Sequence, residues 1–155
     1  MKITMFILAL CLTATGAFAQ KRSDFSGAWQ FSPEKSKNVG MMSQMKMTQT
    51  IEQSDSSLDV ATHGTFQGRD EDSKTHYDLT GKAATNESPM GGPSETISKW
   101  DGGKLVTTWT SQGAVAGSSV VRTETRSLSA DGKTMTVESV RGSGSPLVMV
   151  FEKKQ

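Results

Sequence analysis

Residues 25–31 read Phe25-Ser26-Gly27-Ala28-Trp29-Gln30-Phe31, and the fold turns on them. A glycine two residues ahead of a tryptophan, at the head of a chain whose remaining signal is short strands, lets the backbone pass close while the indole plugs one end of a barrel. Burying an indole removes about 150–250 Å² from water, roughly 4–6 kcal/mol before entropy is subtracted. No other side chain in this stretch offers as much.

Upstream of this stretch, residues 1–19 carry the three-part grammar of a secretory signal. Lys2 supplies the positive start, residues 3–13 an apolar run, and Ala17-Phe18-Ala19 a small-x-small cleavage site before Gln20. The run is about a dozen residues, short of the ~20 that a spanning helix needs. Cys11 follows Leu10 in mid-run and not a small residue at the cleavage point, so lipid attachment is not expected. Removal of 19 residues from 155 leaves 136, enough for one domain spanning residues 20–155. Lys2 is the only charge removed, so the 17 basic residues become sixteen against 16 acidic ones. A net charge near zero gives no electrostatic reason to seek nucleic acid or an anionic membrane. The single cysteine leaves with the leader, and an exported chain without cysteine depends on packing and sheet hydrogen bonds alone.

Downstream, residues 32–38 break the strand pattern with Pro33 and charges, and residues 39–45 run irregularly with one helical turn expected. From Met47 onward the period is two: Met47 and Ile51 face one way, Thr48, Thr50 and Glu52 the other. Ser54-Asp55-Ser56-Ser57 turns the chain, and Leu58, Val60 and Thr62 alternate with Asp59, Ala61 and His63 on the return. Residues 64–71 read as a second turn, after which Thr75, Tyr77 and Leu79 share a face, and Thr80-Gly81-Lys82 turns again. Residues 83–93 hold Pro89, Gly91, Gly92 and Pro93 and read as a mobile loop, with room for a short strand before it. Residues 96–100, 104–110, 119–128, 134–140 and 147–152 then follow as five strands. Asp101-Gly102-Gly103 and Asp131-Gly132-Lys133 supply the positive φ that tight hairpins require. Helical periodicity never exceeds one turn. The fold class expected is all-β: an antiparallel up-and-down barrel of about 8–10 strands, because closure is how such a sheet disposes of its edges.

In these residues the chain resembles the lipocalin and fatty-acid-binding-protein (calycin) superfamily, and in particular its small secreted bacterial members of uncharacterised function. The opening Phe25-Ser26-Gly27-Ala28-Trp29 is similar to that group's glycine-x-tryptophan signature, Trp100-Asp101-Gly102-Gly103-Lys104-Leu105 to a recurrent hairpin, and Val148-Met149-Val150-Phe151-Glu152-Lys153 to the final strand of the fatty-acid-binding branch. The resemblance implies a barrel with an internal cavity and Trp29 at its closed end. It also marks departures. The arginine-x-tyrosine pair with which intracellular members hold a ligand carboxylate falls on Met149 and Phe151 here, so that clamp is missing. Residues 32–45 are too irregular for the two-helix lid of that branch.

Alternation places Ile51, Leu58, Val60, Tyr77, Leu105, Trp109, Met135, Val137, Leu147, Met149 and Phe151 inside. Such a lining suits a small hydrophobic guest, and it equally suits a core filled by its own side chains. Arg122, Glu124 and Arg126 share a face with Val120 and Leu128. Turned inward, that row orients an acidic headgroup; turned outward, it is a solvated face. The candidate ligand-binding residues are therefore Tyr77, Leu105, Trp109, Arg122, Arg126, Met135, Met149 and Phe151. Met41, Met42, Met45 and Met47 crowd into seven residues and offer either soft Cu(I) ligands or adaptable packing at a barrel mouth. His63 and His76, with Asp70, Glu71 and Asp72 between them, lack recognised metal-ligand spacing and read as decoration of a solvated turn. No nucleophile elbow surrounds any serine. The expectation is an exported, non-enzymatic carrier of a small hydrophobic molecule, periplasmic or extracellular, with no cofactor, no metal, no nucleic-acid partner and no stable membrane insertion. The alternative is an envelope interaction module on a filled barrel, presenting residues 83–93 and the methionine-rich approach to Met47.

Overall fold

Side-chain alternation is carried through ten strands in the computed structural model, which describes residues 21–88 and 91–155. They are β1 (Gly27–Phe31), β2 (Lys46–Gln53), β3 (Ser57–Phe66), β4 (Arg69–Asp78), β5 (Ala83–Glu87), β6 (Pro93–Asp101), β7 (Lys104–Gln112), β8 (Ser119–Leu128), β9 (Thr134–Arg141) and β10 (Leu147–Lys153). The sheet order is β4-β3-β2-β1-β10-β9-β8-β7-β6-β5. Every neighbour is antiparallel, and the first and last strands meet, with Trp29 opposite Lys153 and Phe31 opposite Phe151. The expected leader, residues 1–19 with Cys11, lies outside the described residues, as do Pro89 and Met90.

Gly27 and Trp29 divide the work at the closed end. Gly27 sits at φ +121°, where a Cβ would meet Lys153 Cε at 3.1 Å. Trp29 is fully buried, its Nε1 donates to the Phe25 carbonyl at 2.9 Å, and the Phe25 ring stacks on Trp100 with centroids 6.1 Å apart. The plug is thus three aromatic side chains from two strands and the segment before β1. The core runs upward from it through Ile51, Leu58, Val60, Leu105, Met135, Val137 and Phe151.

The sheet keeps two edges, contrary to the expectation that closure removes them. β4 and β5 face each other without pairing, and the Asn86 side chain spans the seam. Its carbonyl oxygen accepts the His76 backbone N–H and its amide donates to the His76 carbonyl, both at 2.8 Å. A primary amide has the donor and acceptor of a peptide unit, so one side chain stands in for one rung of ladder. The portion of β4 beyond it, residues 69–74, is exposed on both faces and carries Arg69, Asp70, Glu71, Asp72 and Lys74, charges that discourage pairing with another chain's strand.

Three local expectations are corrected. Residues 64–71 are not a turn: β3 and β4 pair from Ser57↔Asp78 to Phe66↔Arg69, leaving only Gln67 and Gly68 in the loop. Both have positive φ, +49° and +77°, the geometry of a two-residue hairpin turn. Residues 83–93 are mostly strand, since Ala83–Glu87 forms β5 and Pro93 opens β6 opposite Glu87; a first strand position is where proline is tolerated. Residues 32–45 hold two 3₁₀ turns, Pro33–Lys35 and Gly40–Gln44. This connection is pinned to β10 by reciprocal Lys37–Val148 backbone bonds of 2.8 and 2.9 Å and by Asn38 Nδ2 donating to the Pro146 carbonyl at 2.7 Å. It builds wall, with Val39 in the core and Met42 packed on it, and forms no two-helix lid.

Candidate functional site

The row on β8 faces inward. Alternation sends Val121 out to solvent and leaves Arg126 3 % and Glu124 6 % exposed, so the solvated-face alternative is overturned. Tyr77 reaches across from β4 and donates its hydroxyl to Glu124 Oε1 at 2.9 Å. Arg126 Nη2 lies 3.4 Å from the same oxygen, and Arg122 Nη1 lies 3.8 Å from Oε2. Arg126 Nη1 completes its contacts with Gln49 Oε1 at 3.4 Å and Met135 Sδ at 3.3 Å. Three side chains at two-residue spacing on one strand thereby become a stack of charges along the barrel axis: cation, anion, cation.

Aromatic rings frame the stack. The Arg122 guanidinium lies over the Trp109 ring at 4.5 Å, Arg126 lies 5.7 Å from the Tyr77 centroid, and the two rings meet edge-on at 6.1 Å. Burial, then the Glu124 charge, pushes the Tyr77 phenol well above its ordinary value, so it serves as a neutral donor. The cluster holds two guanidiniums against one carboxylate. Arg122 Nη2, Arg126 Nε and Trp109 Nε1 are buried without a hydrogen-bond partner among the described residues. All three are donors, so what the cluster lacks is an acceptor.

Of the eight sequence-derived candidates, Tyr77, Trp109, Arg122, Arg126 and Met135 converge on this cluster, and Leu105 sits opposite Arg126 in the β7–β8 ladder. Phe151 packs deeper against Phe31, with ring centroids 5.6 Å apart. Met149 lies higher on β10, partly open, and packs against the core together with Leu147. Leu105, Met135 and Phe151 are completely enclosed by protein, so the lower half of the barrel is filled by its own side chains. Arg122, at 23 % side-chain exposure, and Met149, higher on β10, are only partly enclosed.

Sequence reasoning missed Glu124 as the centre of the cluster, and with it Gln49 and a wall of hydroxyls. The inward face of β6 is Ser94, Thr96 and Ser98, all buried. Ser98 bonds to Thr107 at 2.8 Å, and Thr96 Oγ1 accepts from Asn86 Nδ2 at 2.8 Å. The available signal was the complementary row, Glu95 and Lys99, which marks the other face as outward.

The methionine cluster divides between surface and core: Met41 is 75 % exposed, Met47 is buried, Met42 packs on the core, and Met45 Cε lies 3.3 Å from where a Cβ on Gly64 would sit. His63 and His76 lie on paired strands and not on a turn. Each meets one carboxylate across the β3–β4 ladder at 2.7 Å, His63 with Asp72 and His76 with Asp59. These rungs are four residues apart, about 13 Å at strand rise. The bond to Asp72 raises the His63 pKa above its ordinary value.

No protein-family model matches the chain, and no curated protein matches it. Solved structures do. A fatty-acid transporter, REP1-NXSQ, superposes with a TM-score of 0.65 at 16 % identity, over 84 % of this chain and 96 % of its own. Fatty-acid-binding protein 1 of Echinococcus granulosus superposes at 0.65 and 12 % identity, over 84 % and 98 %. The fatty-acid-binding protein of Schistosoma mansoni, solved in complex with arachidonic acid, superposes at 0.63 and 16 % identity, over 84 % and 96 %. Identities this low carry the fold, and the fold is plain: the chain is a ten-stranded, nearly closed antiparallel barrel of the kind that fatty-acid-binding proteins share.

Proposed function

We propose that this protein is an exported carrier of one small amphiphile, held in the upper half of the barrel with its acidic head at Arg122. The observation that carries this reading is the excess of buried donors: two guanidiniums share one carboxylate, and three donors of the cluster have no acceptor among the described residues. An unpaired buried donor costs about 1–3 kcal/mol, which an anionic guest recovers on arrival. The apolar tail lies against Leu147 and Met149, partly buried on the same face of β10 as Phe151. The three structural neighbours described above are named for fatty acids, which supports the guest's class. Export rests on the leader grammar of residues 1–19 and, with the likeness to small secreted bacterial barrels, belongs to the same proposal. N-terminal sequencing of protein recovered from outside the cytoplasm should begin at Gln20.

The test is a titration with dansyl-undecanoate, read by energy transfer from tryptophan. Saturable binding is expected, and Arg122→Met should weaken it about tenfold or more, the value of a charge-assisted hydrogen bond. The filled lower half supports the rival reading, an envelope interaction module whose barrel is scaffold. Exclusion of the acid and of its neutral analogues would favour that rival.

A further inference from the structure

We infer that Glu124 is a built-in counter-ion that decides how deep, and with what charge, a guest can bind. This rests on the carrier reading and adds a residue-level rule to it. Glu124 occupies the position an incoming carboxylate would take: it accepts the Tyr77 hydroxyl at 2.9 Å, lies 3.4 Å from Arg126 and 3.8 Å from Arg122, and is almost wholly buried. Arg126 is the deeper cation, opposite the enclosed Leu105, and Arg122 the shallower one, opposite Trp109. With Glu124 in place the charge of the deep guanidinium is already matched, although its Nε finds no acceptor among the described residues. A second carboxylate at that level would sit against Glu124 in a low-dielectric interior, where repulsion is little screened.

The consequence is a selectivity that neither arginine alone would give. Counting its buried groups, the cluster has room for one negative charge, and only at the height of Arg122; Arg141, opposite Arg122 on β9, is exposed and its charge is screened by water. A monoanionic head restores balance. A dianionic head overshoots it, and a neutral head leaves the donors partly matched and the excess charge in place. Glu124 acts here as a positioning residue, setting the guest's depth through the two guanidiniums.

The experiment is isothermal titration calorimetry of the full mature chain with decanoate, decanol and decyl phosphate at a pH where the phosphate is dianionic. In the unaltered protein decanoate should bind tightest; decyl phosphate binding at least as tightly overturns the inference. Glu124→Gln keeps the side-chain shape and frees both cations, so decanoate affinity should rise at least tenfold, dianion affinity should rise more, and decanol, whose hydroxyl offers the guanidiniums only an uncharged acceptor, should gain far less. An unchanged or weakened decanoate affinity, or an equal gain for decanol, overturns it. The double variant E124Q/R126M removes the deep cation as well and should return decanoate to its original affinity; a gain that persists there overturns it. Should E124Q alone fail to fold, the comparison of head charges in the unaltered protein decides. If none of the three compounds binds the unaltered protein, the carrier reading fails first and the counter-ion rule falls with it.

Discussion

The Tyr77 hydroxyl and the Glu124 carboxylate, 47 residues apart in sequence, are joined by a 2.9 Å hydrogen bond across the barrel interior. This bond fixes the acid between two guanidiniums and ties β4, an edge strand, to β8 on the far side. Tyr77→Phe deletes the donor and little else. The Glu124 carboxylate then keeps only its longer arginine contacts, and the cost should be about 1–3 kcal/mol, the penalty for a buried charged acceptor left short of a partner. Urea unfolding followed by tryptophan emission measures it. A change below about 0.5 kcal/mol would mean that the hydroxyl is not what holds the acid.

Asn86 is the second tie on the same seam. Asn86→Ala removes the bonds to the His76 N–H, the His76 carbonyl and Thr96, the first two of which substitute for strand pairing. A loss of about 2–3 kcal/mol is expected from net hydrogen-bond values near 1 kcal/mol each. The sharper readout is local: the His76 amide should exchange with deuterium much faster, while amides of β1 and β10 keep their protection. Uniform acceleration everywhere would show that the seam is not a separate unit.

The barrel was legible from the chain because period-two alternation, a glycine-tryptophan plug and Asp-Gly hairpins all point one way. Tyr77, Leu105 and Phe151 fell where alternation placed them, and Trp29 where the glycine-tryptophan pair did, because burial there is set by apolar area. The charge cluster was half legible. Arg122 and Arg126 were found, but a charged row on a strand is ordinarily solvated, and two of the partners that make its burial tolerable, Tyr77 and Gln49, lie on other strands. Ser94, Thr96 and Ser98 were missed for a related reason: small hydroxyls weigh almost nothing on a hydrophobic scale, and their partners, Ser111, Asn86 and Thr107, lie on other strands. The β3–β4 turn was drawn too long, as residues 64–71, because Gln67 holds a positive φ usually given to asparagine or glycine.

The His63–Asp72 pair gives the exposed end of the β3–β4 hairpin a pH dependence. The bond to Asp72 raises the folded-state pKa of His63 above 6.5, so the protonated form is favoured by folding. The contribution is fully present below the unfolded pKa and fades as pH rises through the raised folded value. NMR titration should place the His63 midpoint above 6.5. Asp72→Asn should return it toward 6.5 and remove the corresponding pH dependence of amide protection at Gly64 and Glu71, the next rung of the ladder.

Gln67 makes the opposite kind of test, a substitution that should stabilise. It occupies the first position of a two-residue turn at φ +49°, followed by Gly68 at +77°. Left-handed backbone is unfavourable for a long side chain and better tolerated by asparagine, whose short amide bonds to nearby backbone. Gln67→Asn therefore writes the Asn-Gly pair that this turn type prefers, without touching the interior. Stability should rise by a few tenths to about 1 kcal/mol, seen as a higher urea midpoint at unchanged slope. Gln67→Pro should do the reverse, since proline cannot adopt a positive φ, and the loss should be confined to hydrogen-exchange protection between residues 60 and 75. If both substitutions are silent, the hairpin end does not hold the two-residue turn, and the register that pairs His63 with Asp72 has to be revised.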